Sequence, residues 1–205
     1  MTSPGAKYAV DPGFLDALIA AGDDAQQSVA ADNGFASLSD MIAAHAPIVE
    51  AVVSRTAGRP CRVLDLGCGN GFLLAELCRA APGISPVGIE RCARRLERAH
   101  ALFGGANVEL HPGDLFACRE AWPRGRRYDV ALLMPGRLID ASPDSARTLR
   151  RYLAKRVGTV FGYAYPDWLE RFGDIASLCE AADLIPVGPV VTGAGSALVE
   201  VRIAQ

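Results

Sequence analysis

The chain is short of the features that mark several large protein classes. No apolar run approaches the ~18 residues that a membrane span needs, so the sequence offers no spanning helix. Its six cysteines (Cys61, Cys68, Cys78, Cys92, Cys118, Cys179) include no C-x-x-C pair and have no histidine at zinc-finger spacing. That argues against a metal site and against a disulfide framework, and leaves them as small, reduced, apolar core residues of a cytoplasmic protein. Lysine is nearly missing: Lys7 and Lys155 are the only two, and the rest of the basic charge is arginine. A net charge of −2 argues against a protein built to hold nucleic-acid backbones. Arginines do cluster, at Arg91, Arg94, Arg95 and Arg98 and again at Arg119, Arg124, Arg126 and Arg127. Solvated helix and loop faces are the simpler account; anion or RNA binding is the other. Internal repeats and low-complexity linkers are absent. The opening MTSPGAKYAV lacks the basic-then-apolar order of a secretory signal and reads as a flexible terminus.

What is present is an alternation. With 205 residues, 50% hydrophobic and 21% charged, the chain suits one soluble domain. From residue 60 onward, short β-rich apolar runs alternate with helical patterns: strands at 61–66, 85–90, within NVELHPGD, at 128–134 and at 157–165. Helices are expected at GFLLAELCRAA, at 91–103, at LRRYLAKR and as one element over PDWLERFGDIASLCEAAD, with Pro166 in its first turn. The tail reads as two strands joined by a TGAGS hairpin. Strands alternating with helices predict a parallel sheet covered on both faces, its last strand antiparallel. Residues 1–60 instead carry helical spacing, with two or three helices broken near Asp32-Asn33-Gly34. They are expected to cap one end of a core formed by residues 61–205.

The most informative stretch is VLDLGCGNGF at 63–72, three glycines in five positions directly after a buried strand. Glycine is costly to order, so the turn needs a shape or an approach that a side chain would block. In an open parallel sheet, ligands bind outside the carboxyl ends of the strands, where this turn lies. Asp65 stands two residues before the first glycine, where a carboxylate repels a pyrophosphate and suits a cationic group. Glu90 ends the next strand, the place of an acid that accepts from ribose hydroxyls. Asp114, in HPGDLF, follows the third strand, where a carboxylate can face an adenine amino group. Together these describe an adenosine-like ligand with a cationic end and no phosphates. Each acid has an ordinary alternative: Asp65 capping the turn, Glu90 capping the next helix, Asp114 serving turn chemistry.

VLDLGCGNG, GIE, GDLF and YDVALLMP, in this order and spacing, resemble the class I S-adenosylmethionine-dependent methyltransferases over about residues 60–204. The resemblance implies an α/β fold, a three-layer α/β/α sandwich whose seven-stranded, mostly parallel sheet has an antiparallel last strand. It implies S-adenosylmethionine as cofactor. By it, the backbone of Gly67 and Gly69 meets the methionine part near Asp65, Glu90 holds the ribose, and Asp114 with Leu115 holds the adenine. Cys68, Gly71, Arg91 and Met134 complete the expected contact set.

Methyl transfer is an in-line displacement, in which holding the nucleophile in line can be the enzyme's largest contribution. A base is needed only for a nucleophile that is protonated at neutral pH. His111 and Tyr165 are weak candidates for that role; a strand-end histidine is also an ordinary edge residue. Substrate-facing candidates are Arg137 after the fourth strand, Tyr163, Tyr165 and Trp168 after the fifth, and Phe35, Met41 and His45 in the cap. The tyrosines also fit as core, and Arg137 as a solvated loop residue. MPGR differs from the Asn/Asp-Pro-Pro-aromatic sequence of the branch that methylates bases and glutamine, and no acidic pair suggests a magnesium site. The short cap suits a small-molecule acceptor, methylated on oxygen or nitrogen by a monomer or homodimer. A protein-lysine methyltransferase of the same fold, or a module that binds cofactor without turnover, are the alternatives. A dehydrogenase is disfavoured by Asp65 and by Phe72.

Overall fold

Three helices precede the sheet in the computed structural model, which describes residues 13–57, 59–104, 108–117, 122 and 126–204. They are α1 (Phe14–Ala20), α2 (Asp23–Asp32) and α3 (Leu38–Thr56). The α3 helix begins at Ser37, whose hydroxyl accepts the Asp40 N–H at 3.1 Å, satisfying one of the helix's free donors. Met41, Ala44, Ile48 and Val52 lie three or four residues apart and are fully buried, so one stripe of the helix faces the core. The expected helical cap is therefore three helices, and its break falls at residues 33–37, as the Asp-Asn-Gly sequence predicts.

The core follows as β1 (Cys61–Leu66), α4 (Phe72–Ala80), β2 (Ile84–Glu90), α5 (Ala93–Leu102), β3 (Glu109–Pro112), β4 (Tyr128–Leu133), α6 (Gly136–Ile139), α7 (Pro143–Arg156) and β5 (Val157–Ala164). Then come α8 (Pro166–Phe172), α9 (Ile175–Ala181), β6 (Leu184–Pro186), β7 (Val191–Gly193) and β8 (Ser196–Ile203). Strand order is β3-β2-β1-β4-β5-β8-β6, parallel from β3 through β5, with β8 antiparallel to β5. The sheet counts eight strands where seven were expected. β6 pairs residues 184–186 with 203–201, and β7 pairs 191–193 with 198–196. Both lie on the edge of β8 opposite β5, so they are one edge strand interrupted at 187–190. Pro189 in that gap has no N–H for the ladder.

Alternation along each strand sorts side chains to two faces. Val63 of β1, Val130 and Leu132 of β4 and Phe161 and Tyr163 of β5 pack with α3, α4 and α5. Leu64, Leu66, Ala131, Leu133, Val160 and Ala164 pack on the other side with α7 and α9. Both faces are thus covered, as a parallel sheet requires. The single helix expected over 166–183 is two. Gly173, at φ 83, ends the first, and the Asp174 carboxylate accepts the Ser177 N–H at 2.7 Å to start the second. A glycine stop followed at once by an Asp cap outweighs the continuous apolar spacing. No helix among the described residues is long and apolar enough to cross a membrane.

Candidate functional site

The carboxyl ends of β1, β2, β4 and β5 open onto a cavity of about 970 Å3. The three glycines of the turn answer three different demands. Gly67 sits at φ +90 and has nothing within 4 Å of where a Cβ would lie, so its bare side faces open space. Gly69, at φ +57, has the Asn33 side-chain amide packed where a Cβ would go, and its N–H donates to Glu90 Oε2 at 3.0 Å. Gly71, at φ +78, would press a Cβ to 3.0 Å from the Ala99 Cβ and 3.2 Å from the Phe103 ring. Gly67, Cys68 and Gly69 line the cavity and Gly71 does not. Gly71, expected among the cofactor contacts, thus stands outside the lining and lets α4 pack against α5. Backbone bonds from the Gly67 and Cys68 N–H groups to the Ile89 carbonyl, at 2.9 and 3.1 Å, fasten the turn to β2.

Asp65 is 2% exposed, and its Oδ1 has no hydrogen-bond partner. It lies behind the lining rather than in it. Burial, and after it the charge of Glu90, push its carboxyl up to about 7. Its charge in turn bears on Tyr163 and Tyr165, both of which line the cavity. Glu90 lines the cavity floor while also accepting the Cys92 N–H at 2.7 Å, so it holds the start of α5 and presents a carboxylate to the cavity at once. Asp114 likewise closes its own turn, Oδ1 accepting the Phe116 N–H at 2.9 Å, and lines the cavity beside Leu115 and Phe116. Arg91 and Met134 line it as well.

The opposite wall is aromatic. Phe35 meets Tyr165 edge-on at 4.9 Å between ring centroids, and Tyr165 meets Tyr163 at 5.6 Å. Trp168 lies flat over Gly136, whose missing Cβ would fall 2.5 Å from its ring, and Arg171 caps the indole at 5.4 Å. Arg137 lines this side too. Burial raises the Tyr163 and Tyr165 hydroxyls well above the ordinary tyrosine value. Tyr165, the candidate base, stands in this wall.

Two further candidates fall outside the cavity. Met41 is fully buried, its sulfur accepting from Asn33 Nδ2 at 3.6 Å, so it supports the cap from within the core. His111 is not among the residues that line the cavity; its Nε2 is buried without a hydrogen-bond partner among the described residues and lies 3.9 Å from the Glu109 carboxylate. Of the arginines, Arg94 and Arg98 pair with the buried Asp32 at the end of α2, and Arg126 pairs with Glu109. Arg91 and Arg95 reach the cavity. Arg119, Arg124, Cys118 and the opening ten residues lie outside the described residues.

Three participants escaped sequence reasoning. Asn70, inside the glycine turn, accepts from Asn33 Nδ2 at 2.7 Å and gives its own amide to the Val29 carbonyl at 2.8 Å, locking cap to turn. Glu76 is 3% exposed in α4, and its Oε2 stands 2.6 Å from His45 Nδ1. A lone acid amid FLLAELC was the available signal, because a buried carboxylate needs a partner. The tip of the β7–β8 hairpin, Ala194 and Gly195, also reaches the cavity, held there by the Ser196 hydroxyl donating to the Ala44 carbonyl at 2.6 Å.

Residues 58–184 match a family model described as a methyltransferase domain. Ubiquinone biosynthesis O-methyltransferase of Serratia proteamaculans (strain 568) is 35% identical over 103 residues, 48% of this chain and 40% of that protein. The chain thus spans about two-fifths of that relative's length. Among solved structures, N-methyltransferase NodS from Bradyrhizobium japonicum WM9 superposes with a TM-score of 0.57 at 15% identity, over 78% of this chain and 94% of that one. Magnesium protoporphyrin IX methyltransferase (ChlM) from Synechocystis PCC 6803, with bound SAH, gives 0.54 at 16% identity over 82% and 87%. At such identities the likeness is one of fold.

Proposed function

The chain belongs to the methyltransferase-domain family, and from that premise we propose that its cavity binds S-adenosylmethionine and methylates an oxygen or nitrogen of a small molecule. The observation that carries the reading is Asp65, a carboxylate buried without a partner for Oδ1 two residues ahead of the open face of Gly67. Burying such a group is costly unless something charged completes it. The α-ammonium of S-adenosylmethionine is such a group, and a pyrophosphate is its opposite. The donor set fits the rest of the molecule. Gly67, Cys68 and Gly69 offer a bare backbone surface to the methionine part. Glu90 offers carboxylate oxygens to the ribose, and Ile89, Leu115 and Phe116, with Asp114 beside them, form an apolar slot for the adenine.

When bound, S-adenosylmethionine supplies a methyl group on a positively charged sulfur. The protein's own task is to hold an acceptor in line with it and keep water out. We take the helices α1–α3 as a cap over the acceptor side of the cavity, where the Asn33–Asn70 pair brings Phe35 to the rim. A cavity of about 970 Å3 has room for the nucleoside and one compact acceptor, by comparison with ordinary ligand pockets of roughly 300–1,000 Å3. This favours a small acceptor over a folded macromolecule.

Calorimetric titration with S-adenosylmethionine, S-adenosylhomocysteine and NAD tests the reading. Binding of both sulfur compounds without NAD is the expected result. Binding of NAD alone would overturn it. Binding without methyl transfer to any acceptor would leave a cofactor-binding module rather than an enzyme.

A further inference from the structure

We propose that His45 accepts the proton of the methyl acceptor, that Glu76 positions His45 to do so, and that the acceptor is a hydroxyl on a planar aromatic ring. The inference rests on the methyltransferase reading above and deepens it. His45 comes from α3 and Glu76 from α4, residues 31 apart in the chain. Both are buried, at 2% and 3% exposure, yet His45 is among the residues that line the cavity. Nδ1 stands 2.6 Å from Glu76 Oε2. A carboxylate only accepts, so in the neutral ring the proton belongs on Nδ1 and the Nε2 lone pair is left free. Among the described residues nothing bonds to Nε2. The pair sets the ring's tautomer from behind, and His45 is the one imidazole among the residues that line the cavity.

The surroundings select the acceptor. The imidazole sits within an aromatic cluster, 5.7 Å from Phe35, 6.0 Å from Phe72 and 6.3 Å from Tyr165. Tyr163 and Trp168 extend this wall. Flat faces suit a flat ring. An aromatic amine already carries a free lone pair and needs no base, whereas a phenol does. The groups facing His45 are Glu76 from α4 and Tyr165 from the end of β5. Asp40 of α3 and Tyr163 of β5 line the same cavity, and Asp65 of β1 lies behind the two tyrosines. The β7–β8 hairpin brings no titratable side chain, and Asp32 of α2 is held by Arg94 and Arg98.

In the step, the phenol oxygen's electron pair forms the bond to the methyl carbon, and the pair of the broken carbon–sulfur bond stays on sulfur. The phenol proton passes to His45 Nε2. The products are the aryl methyl ether, a neutral thioether and an imidazolium facing the Glu76 carboxylate, which returns its proton to solvent.

Imidazole nitrogen NMR on the intact wild-type protein needs no substitution and no acceptor. The expected spectrum shows His45 with Nδ1 protonated and Nε2 bare near neutral pH. A proton on Nε2, or an imidazolium that persists into alkaline buffer, would overturn the proposal. Turnover is then measured with methyl-labelled S-adenosylmethionine on catechol, 4-hydroxybenzoate and 4-nitrophenol, with aniline as the amine control. His45→Gln should keep its affinity for S-adenosylhomocysteine and lose about 10²–10⁴-fold in kcat on catechol. Its loss should be far smaller on 4-nitrophenol, which ionises unaided. The acid limb of the wild-type pH profile should vanish in His45→Gln. Glu76→Gln should lose a large part of kcat on catechol while keeping its affinity for S-adenosylhomocysteine, and Glu76→Asp should restore part of that kcat. An equal loss on every phenol would reduce the pair to a structural tie between helices. Methylation of aniline alone, or of no probe by a protein that binds S-adenosylhomocysteine, would overturn the proposal while leaving the binding reading intact. Failure to bind S-adenosylhomocysteine at all would overturn both.

Discussion

The two walls of the cavity are built differently. One is made by consecutive strand ends: the glycine turn follows β1, with Asp65 buried behind it, Glu90 closes β2 and Asp114 follows β3. Its shape is backbone shape, held by the bonds from Gly67 and Cys68 to Ile89 and from Gly69 to Glu90. The other wall is gathered from across the chain. Phe35 and His45 come from the cap, Tyr163 and Tyr165 from the end of β5, and the hairpin tip from a segment bonded to α3 across 152 positions. It is held by ring packing and by one buried acid–imidazole pair. A backbone-defined surface admits one ligand shape and tolerates little change. A side-chain-defined surface can be rebuilt residue by residue, which suits the half of a methyltransferase that chooses the acceptor.

That contrast can be broken at several points. The largest effect is expected at Gly71. Gly71→Val forces a β-branched residue into positive φ and into Ala99 and Phe103, a cost of roughly 3–5 kcal/mol measurable by urea unfolding. If stability changed by less than 1 kcal/mol, roughly the cost of an ordinary exposed substitution, the packing account of this glycine would fail.

Asp65 is next, and its sign is opposite. In the unfolded chain its carboxyl ionises above the ordinary 3.8, while in the folded empty protein it holds its proton up to about 7. Between those values the unfolded state binds fewer protons, so stability falls as pH rises through this window and levels off above it. Asp65→Asn removes the fall. The empty variant should be more stable than wild type above pH 7, by about 2–4 kcal/mol, and equally stable in acid. Thermal melts across pH that ran parallel for the two proteins would contradict this.

The smallest effect separates the walls themselves. Asn33→Ala removes the amide that ties cap to turn, at a cost of about 1–2 kcal/mol. Hydrogen exchange in α2 and the start of α3 should quicken, and the acceptor KM should rise. Affinity for S-adenosylhomocysteine should stay close to wild type, because Gly69 and Glu90 keep their bond. A parallel loss of both affinities would mean that the walls are one unit.

The same contrast explains what the sequence disclosed. The strand order, the covered faces and the antiparallel β8 follow from alternation and from local apolar runs. The acids at the strand ends were legible because the turn motif places them within a few residues of a known strand end. The split of one expected helix at Gly173 turned on a single glycine followed by a capping Asp, and the gap in the β8 edge strand on Pro189, signals that apolar spacing overrides when read alone. Met41 and His111 looked like site residues by type and location, yet neither is among the residues that line the cavity. Glu76 was hidden for the reverse reason. It sits in an otherwise apolar helix, and its partner His45 lies on a different helix, so only packing in three dimensions joins them.

The central claim is that Asp65 is kept buried and unpartnered for a cationic ligand. The most direct test is calorimetric titration with S-adenosylhomocysteine just below pH 7, in buffers of different ionisation enthalpy. An ammonium arriving near Asp65 favours its charged form, so wild-type protein should release protons on binding, and Asp65→Asn should release none and bind more weakly. Equal affinity in the two proteins, with no buffer dependence in either, would contradict the account.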